Sequence, residues 1–588
     1  MKKLVAVRRS ALRIARLARD AAPAWVRAFV LSTILVGVLP ALAAWLGKRL
    51  VDAVVEGGPE ATTIATWLLA AEAVVMVVIL AARRGGAVIR TMLGLKLGDT
   101  IRARIARKAV ALELADLESP TVQDQLVRAR KQAGSRPIAY LDHVGTLVQS
   151  VLATAVAIVL LFDVHPLAIV AVLVASVPSF IAEVRWVKRQ YVFEHSRTAS
   201  RRELGYLENV LSREDYAKEA RLLRLGAPLL RRFDARAEHI FDEGVEVQVQ
   251  GARAVVLTGA FGTLVFYAAY FAVVYATIAG GISLGEMTMA LVLLQQCQNA
   301  AANSLISMSR MAQDELYMRE LFEFLDRATP NPKEGLSSGP NPGEGLVFED
   351  VTFTYPDAKQ PAIRNVSFAV KPGEVLGIVG ENGSGKSTLI KLMTRLYDVE
   401  HGRITLDGLD LRQWNRAALW QRTAAMFQDF ARFKLTFEEN VTLGAEGDEI
   451  DPALEAAQAR TVMAGLEAGR KQRLGRGFPG GIDLSGGQWQ KLALARVFFR
   501  EGADLRVFDE PTAALDAHAE AAVFEKIFER EATMTIVVAH RLSTLRAADE
   551  ILVLHEGRIV ERGTHEDLVD AGERYASLFE TQAAQYDR

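Results

Sequence analysis

Gly380, four variable positions, then Gly385, Lys386 and Ser387 form the pattern in this chain that most directly implies chemistry. Such a run is a phosphate cradle. Its glycines let backbone N–H groups turn inward, and the lysine reaches the β- and γ-phosphates of a nucleotide. Asn382, Gly383, Ser384 and Thr388 complete the stretch. The apolar residues 375–379 read as a short buried strand, and Leu389, Ile390, Leu392 and Met393 open a helical pattern. The setting is therefore strand, loop, helix, with the helix N-terminus facing the phosphates.

Further along, Leu484, Ser485, Gly486, Gly487 and Gln488 precede a strand-like run that ends in Asp509 and Glu510. The segment LSGGQWQKLALAR, 484–496, resembles the signature motif of ATP-binding-cassette (ABC) proteins. That resemblance implies ATP and Mg²⁺ as ligands and a site shared between two copies. The signature of one subunit would close over the γ-phosphate held by the other, with Ser485, Gly486, Gly487 and Gln488 at that face. Phosphoryl transfer needs positioning and charge neutralisation more than covalent help. By the resemblance, Ser387, Asp509 and Gln428 attend the metal, and Glu510 is the general base that polarises water. His540 is similar to the switch histidine, Tyr355 in FTYPD to the adenine-stacking aromatic, and Asp516 in AALD to the D-loop aspartate. Taken singly, a Tyr, a His or a Gln is more often structural; the order of all the elements together carries the resemblance. Two departures stand out. Many exporters carry a Glu in the loop before the signature, where this chain has LGRGFPGGID with Gly477 or a neighbour in its place. Arg506 puts a charge inside the strand leading to Asp509, which an edge position or a snorkelling stem would accommodate.

The remainder must position this machinery. A chain of 588 residues is too long for one core, and 50% of it is hydrophobic. A net charge of -1 argues against a whole-chain nucleic-acid binder, and the one cysteine, Cys297, excludes an intrachain disulfide framework. Hydropathy gives six candidate spans at 28–47, 61–82, 143–162, 164–182, 254–280 and 287–309. Each is near the ~20 residues that a membrane helix needs. Long connections follow the second and fourth spans only, an alternation that resembles the membrane domain of ABC exporters. Lys2, Lys3, Arg8, Arg9, Arg13, Arg16 and Arg19 lead the first span, and Arg83, Arg84, Arg90, Lys96, Arg102, Arg104, Arg107 and Lys108 follow the second. The positive-inside rule then puts the N-terminus, the long connections and the ATPase in the cytoplasm of a bacterial inner membrane. The run ALAAW at 41–45 admits a signal-peptide reading, but the basic lead is too long for one. No peptidase extension is expected ahead of the first span.

The expected fold is thus an all-α six-helix transmembrane domain over 1–327, a Pro/Gly/Ser-rich linker over 328–345, and an α/β P-loop ABC nucleotide-binding domain over 346–588. Segments 119–125 and 212–218 resemble the coupling helices that touch the ATPase. In the sixth span Gln295, Asn299 and Asn303 share one drifting face beside Gln296 and Gln298, and Glu72 sits within the second. Polar groups at that depth must meet a cavity or another helix. Tyr267, Tyr270, Phe271 and Tyr275 form an aromatic stripe better explained by packing than by a substrate path. Similarity to bacterial exporters of lanthipeptides and related products implies an ATP-driven exporter of an amphipathic peptide, lipid or drug-like cargo. It would act as a homodimer or as half of a heterodimer. An exporter-fold importer and a membrane sensor with an ATPase remain alternatives, whereas six spans argue against a soluble ABC ATPase of DNA repair or translation.

Overall fold

A computed structural model describes residues 2–162, 185–186, 198–329, 334–356, 358–444, 449–529 and 532–586. It divides into two compact units, Met1–Val110 with Pro120–Arg327, and Ala111–Ser119 with Ala328–Arg588.

The first unit is helical. Among the described residues four helices are long and apolar enough to cross a membrane: Pro23–Glu56, Ala61–Ala111, Arg136–Phe162 and Gly226–Ile278. Helices are what such sequences form in hydrocarbon, because every backbone N–H then bonds within the segment. These helices run far past the apolar stretches that hydropathy alone marks, since their charged continuations keep helical propensity beyond the bilayer. The span expected at 164–182 lies outside the described residues. The one expected at 287–309 lies inside the helix Leu284–Asp326, which starts with a Ser283–Glu286 capping box but is not among the four apolar ones. Its amides lower its hydropathy. Ala290, Leu293, Leu294 and Cys297 pack it against Ala41, Ala157 and Leu161, and Gln296 donates to the Pro40 carbonyl at 3.3 Å. Gln295, Asn299 and Asn303 face outward from this packing. Glu72 is half-buried, with its carboxylate near Gly47 of the first span. In the single chain Tyr267, Phe271 and Tyr275 are 62%, 70% and 65% exposed, and the rings of the stripe meet one another along the helix. Near 212–218 the chain breaks at Arg213, between the helices Thr198–Ser212 and Glu214–Leu222, within the first unit.

The second unit holds two sheets. Strands β1 (Leu346–Phe353), β2 (Ile363–Val370), β4 (His401–Leu406) and β5 (Leu409–Asp410) form an antiparallel sheet in the order β2-β1-β4-β5. Strands β3 (Val375–Gly380), β6 (Thr423–Met426), β7 (Leu505–Asp509), β8 (Met534–Val538), β9 (Glu550–His555) and β10 (Arg558–Gly563) form the other, in the order β10-β9-β3-β8-β7-β6. In it β3 runs parallel to β8 and β9, β7 runs parallel to β6 and β8, and only β10 is antiparallel. Central parallel strands are covered on both faces, which is why β3 and β8 read as near-continuous apolar runs.

Arg506 is not at an edge, because β7 is flanked by both β6 and β8. Its half-buried side chain helps line a surface cleft together with Glu455, Glu501, Glu525, Lys526 and Glu529, which leaves the snorkelling stem as the accommodation. The second half of the expected linker is not a free spacer either. Leu336 exchanges backbone hydrogen bonds with Gln413 and Asn415, and the Asn341 N–H donates to the Asp407 carbonyl at 3.0 Å. Gly and Pro there shape an edge trimming of the ATPase.

Phe437 is fully buried in the larger core cluster, beside the helix that follows the signature. Phe437→Ala should cost about 3–5 kcal/mol through lost transfer energy and a residual cavity. Calorimetry of the full-length protein should show the ATPase transition moving down by several degrees.

Candidate functional site

Register decides where the chemistry gathers. Ile378 of β3 and Asp509 of β7 both pair with Val538 of β8, so three neighbouring parallel strands end at one level. Their following loops carry the phosphate cradle, Glu510 and His540. A cleft at this edge, about 260 Å³, is lined by Asn382, Gly383, Gly385, Lys386, Ser387, Thr388, Gln428, Asp509, Glu510, His540 and Ala362.

The cradle is built by glycine geometry. Gly385 caps the helix Lys386–Met393 with φ 109°, and a Cβ there would stand 2.7 Å from Ile363 Cδ1 and 2.9 Å from the Ala362 carbonyl. No other residue can take that backbone while lying so close to its neighbours. Ser384 Oγ is buried without a hydrogen-bond partner among the described residues. A buried hydroxyl without a partner is costly, and a phosphate oxygen in the cradle would satisfy it. The residues present therefore fit a nucleotide's phosphates. Lys386 folds its ammonium onto the carbonyls of Gly380 at 2.7 Å and Glu381 at 3.0 Å. Burial holds it below its ordinary pKa, against the pull of Glu510 and Asp509. Burial and the neighbouring Glu510 push Asp509 up to about 6, with Lys386 working the other way.

Glu510 adopts φ 50°, left-handed backbone that costs a non-glycine residue about 1–2 kcal/mol. Two bonds hold it there: its N–H donates to the Val538 carbonyl at 2.9 Å, and Gln490 Nε2 donates to its carbonyl at 3.1 Å. The turn aims the carboxylate into the cleft, where Oε1 lies 2.7 Å from His540 Nε2 and Oε2 accepts from Gln428 Nε2 at 3.0 Å. An acid so oriented by two partners can take a proton from a water placed between it and a phosphate.

Other expected site residues stand elsewhere. Ser485 caps the helix Gly486–Phe498, and Gln488 folds back onto the Ser485 N–H at 2.9 Å in a reciprocal capping box. None of Ser485, Gly486, Gly487 and Gln488 lines the cleft, nor does Asp516, which caps the helix Ala517–Ile527 by accepting from the Ala519 N–H at 2.9 Å. Backbone N–H groups hold the Asp516 carboxyl below its ordinary range. Tyr355 is also outside the lining. Its ring packs edgewise on Phe353 and Tyr397 at 5.0 and 5.3 Å, and its hydroxyl lies 3.2 Å from Thr388 Oγ1.

Sequence reading missed the buried ties behind the cleft. Gln490 joins Glu510 to the Ala514 N–H, which donates to its Oε1 at 2.8 Å. Arg496, buried enough to be pulled down to about 10, donates to the Ala431 carbonyl at 2.7 Å and to Asn440. Gln582 donates to the His540 carbonyl at 2.5 Å and accepts from the Leu542 N–H at 3.0 Å, pinning the histidine's loop from the C-terminal helix. A polar residue on the inner face of an otherwise apolar helix, as in WQKLALAR, was the available signal.

This cradle beside a Glu–His–Gln cluster on a parallel sheet defines a nucleotide-hydrolysing domain, and residues 363–513 match the ABC transporter family. That match lies in a chain that also holds, among its described residues, four helices long and apolar enough to cross a membrane. It is 26% identical to the subtilin transport ATP-binding protein SpaT of Bacillus subtilis, over 94% of this chain and 90% of that one. To the nisin transport ATP-binding protein NisT of Lactococcus lactis subsp. lactis it is 25% identical, over 84% and 85%. An ATP-dependent lipid A-core flippase of Methylobacillus flagellatus is 38% identical over 45% of each chain. Among solved structures, a bacterial Atm1-family ABC exporter with ATP bound superposes with a TM-score of 0.78 at 23% identity, covering 96% of this chain and 99% of that one, so the exporter fold is shared.

Glu510→Gln keeps the side chain's shape and removes its basicity. ATP affinity should stay within about threefold, while steady-state hydrolysis should fall by about 10²–10⁴, the usual worth of a positioned general base; a phosphate-release assay beside fluorescent-nucleotide titration checks both.

Proposed function

We propose that this protein is an ATP-driven exporter of an amphipathic substrate, working as a dimer of identical chains in the bacterial cytoplasmic membrane with its N-terminus and ATPase in the cytoplasm. The observation that carries the reading is the split of the motifs: the cradle, Gln428, Glu510 and His540 share one cleft that the signature residues do not line. A second chain's signature supplies what one cleft lacks. The Gly486–Phe498 helix, with Ser485 at its N-cap, presents N–H groups suited to a γ-phosphate. The relatives named for subtilin, nisin and lipid A transport support an amphipathic cargo.

In the proposed cycle the cradle binds ATP phosphates through its backbone N–H groups, and Lys386 leaves the Gly380 and Glu381 carbonyls to neutralise the β- and γ-oxygens. Ser387, Asp509 and Gln428 present hard oxygen donors that suit Mg²⁺, which when bound would supply charge neutralisation at the phosphates. Tyr355 stacks on adenine after its ring turns from the Phe353–Tyr397 cluster. Glu510 then takes the proton of the attacking water, while His540 keeps the carboxylate oriented and contacts the γ-phosphate. Asp516 couples the two sites of the dimer. Closure on ATP and reopening after hydrolysis alternate the access of the membrane helices, where the outward amides Gln295, Asn299 and Asn303 offer a polar wall.

Because Asp509 binds a proton up to about pH 6, a metal ion must displace that proton below this value. The Mg²⁺ concentration for half-maximal ATPase should therefore rise as pH falls through 6, by up to tenfold per unit, and excess Mg²⁺ should recover the rate. The function itself is tested in inside-out proteoliposomes with fluorescent nisin and a fluorescent lipid as probes. ATP-dependent accumulation of either, lost in Glu510→Gln, is expected. Probe movement that is the same without ATP would overturn the proposal.

A further inference from the structure

The loop that carries His540 is held differently from the rest of the cleft. Glu510 is fixed through its own backbone, whereas His540 stands two residues beyond the end of β8, with its side chain 46% exposed. The Ala539 N–H reaches the Ile378 carbonyl only at 3.4 Å. On the far side Arg541 pairs with the buried Glu520. The histidine's own backbone is gripped from another element, the helix Arg574–Tyr586.

Tyr575, Leu578, Phe579 and Gln582 are spaced as one face of that helix. Tyr575 is fully buried, and Leu578 and Phe579 pack against the larger core cluster. The Tyr575 hydroxyl lies 2.8 Å from His565 Nδ1, and the Glu561 carboxylate accepts from the N–H groups of Arg574 and Tyr575 at 2.9 and 3.0 Å. The helix is thus anchored at its start, and the half-buried Gln582 closes its inner face. Gln582 Oε1 accepts from the Leu542 N–H at 3.0 Å while its Nε2 donates to the His540 carbonyl at 2.5 Å, 42 residues back along the chain. One amide, with donor and acceptor side by side, spans both sides of Arg541 as a neighbouring strand would.

We propose that Gln582 is a positioning residue for His540: it fixes the histidine's backbone so that the ring stays within hydrogen-bond reach of Glu510. The inference rests on the ATPase reading above and deepens it with a residue outside the cleft's lining. His540 Nε2 lies 2.7 Å from Glu510 Oε1, and a backbone shift of about 1 Å would break that contact. Misplacement on this scale costs catalysis up to ~10²-fold. The clamp bears on the acid's orientation and not on the phosphate cradle, so it acts on turnover and leaves nucleotide binding unchanged. A helix that merely stabilised the domain would show no such selectivity.

The test is a cycle of Gln582→Met, His540→Ala and the double variant, made in the full-length protein in lipid nanodiscs. It is read by single-turnover hydrolysis of radiolabelled ATP, which resolves slow rates, and by fluorescent-ATP titration. Methionine keeps the length and helical propensity of glutamine, removes both hydrogen bonds and extends the apolar stripe, so the fold is retained. Gln582→Met should hydrolyse ATP at least tenfold more slowly than the parent, with ATP affinity within threefold. In the His540→Ala background the same substitution should change the remaining rate less than twofold, because the group it positions is gone. Parent-like hydrolysis in Gln582→Met, ATP affinity weakened beyond threefold, or an equal loss in both backgrounds would overturn the role, while a slow His540→Ala variant leaves the site reading standing. His540→Ala that hydrolyses ATP like the parent would overturn both.

Discussion

Parallel pairing of β3, β8 and β7 is the constraint from which the rest follows. Parallel strands that end at one level send their C-terminal loops to one edge, and open α/β sheets bind ligands there. Here that edge receives the glycine cradle, the Asp509–Glu510 pair and His540 from segments far apart in sequence. A one-residue slip of β7 against β8 would exchange buried and outward positions and remove Glu510 from the cleft.

The same edge concentrates charge in a poorly solvated place. Two adjacent carboxylates face one buried lysine, which leaves Asp509 reluctant to ionise and Lys386 leaning on carbonyls. A protein that only needed stability would have fewer charges there, because buried ions rarely repay their desolvation. The arrangement makes sense for a site that receives a polyanion, since a triphosphate draws Lys386 out of its carbonyl contacts. Backbone strain at Glu510 belongs to the same design. Gln490 and the β8 carbonyl over-determine the turn, which aims the acid at the cleft and links it to the signature helix.

Legibility in the sequence followed the range of the interactions. Glycine spacing in the cradle was readable because each glycine answers a local demand, positive φ or close approach, that other residues cannot meet. Four of the six expected apolar spans were readable as long apolar helices because lipid imposes composition on every residue of a segment. Which of the two accommodations Arg506 takes, an edge position or a snorkelling stem, was not legible because strand order is a long-range property that no local pattern encodes. What the tyrosine stripe meets was illegible for a related reason: periodicity shows that residues share a face, but not what lies against it. The segment rich in Pro, Gly and Ser looked like a spacer, yet Leu336 and Asn341 bond to chain some seventy residues away.

From sequence alone came the identity of the chemistry: a phosphate cradle, its acid, its histidine and a signature that one cleft does not use, on a chain greasy enough to enter a membrane. Tertiary structure decided the partnerships, such as Gln428 and His540 gripping Glu510 and Gln582 pinning the histidine loop. Residue type and spacing fix what a group can do, because valence and pKa are local. Which group stands within 3 Å of another depends on the packing of strands and helices that only the folded chain brings together.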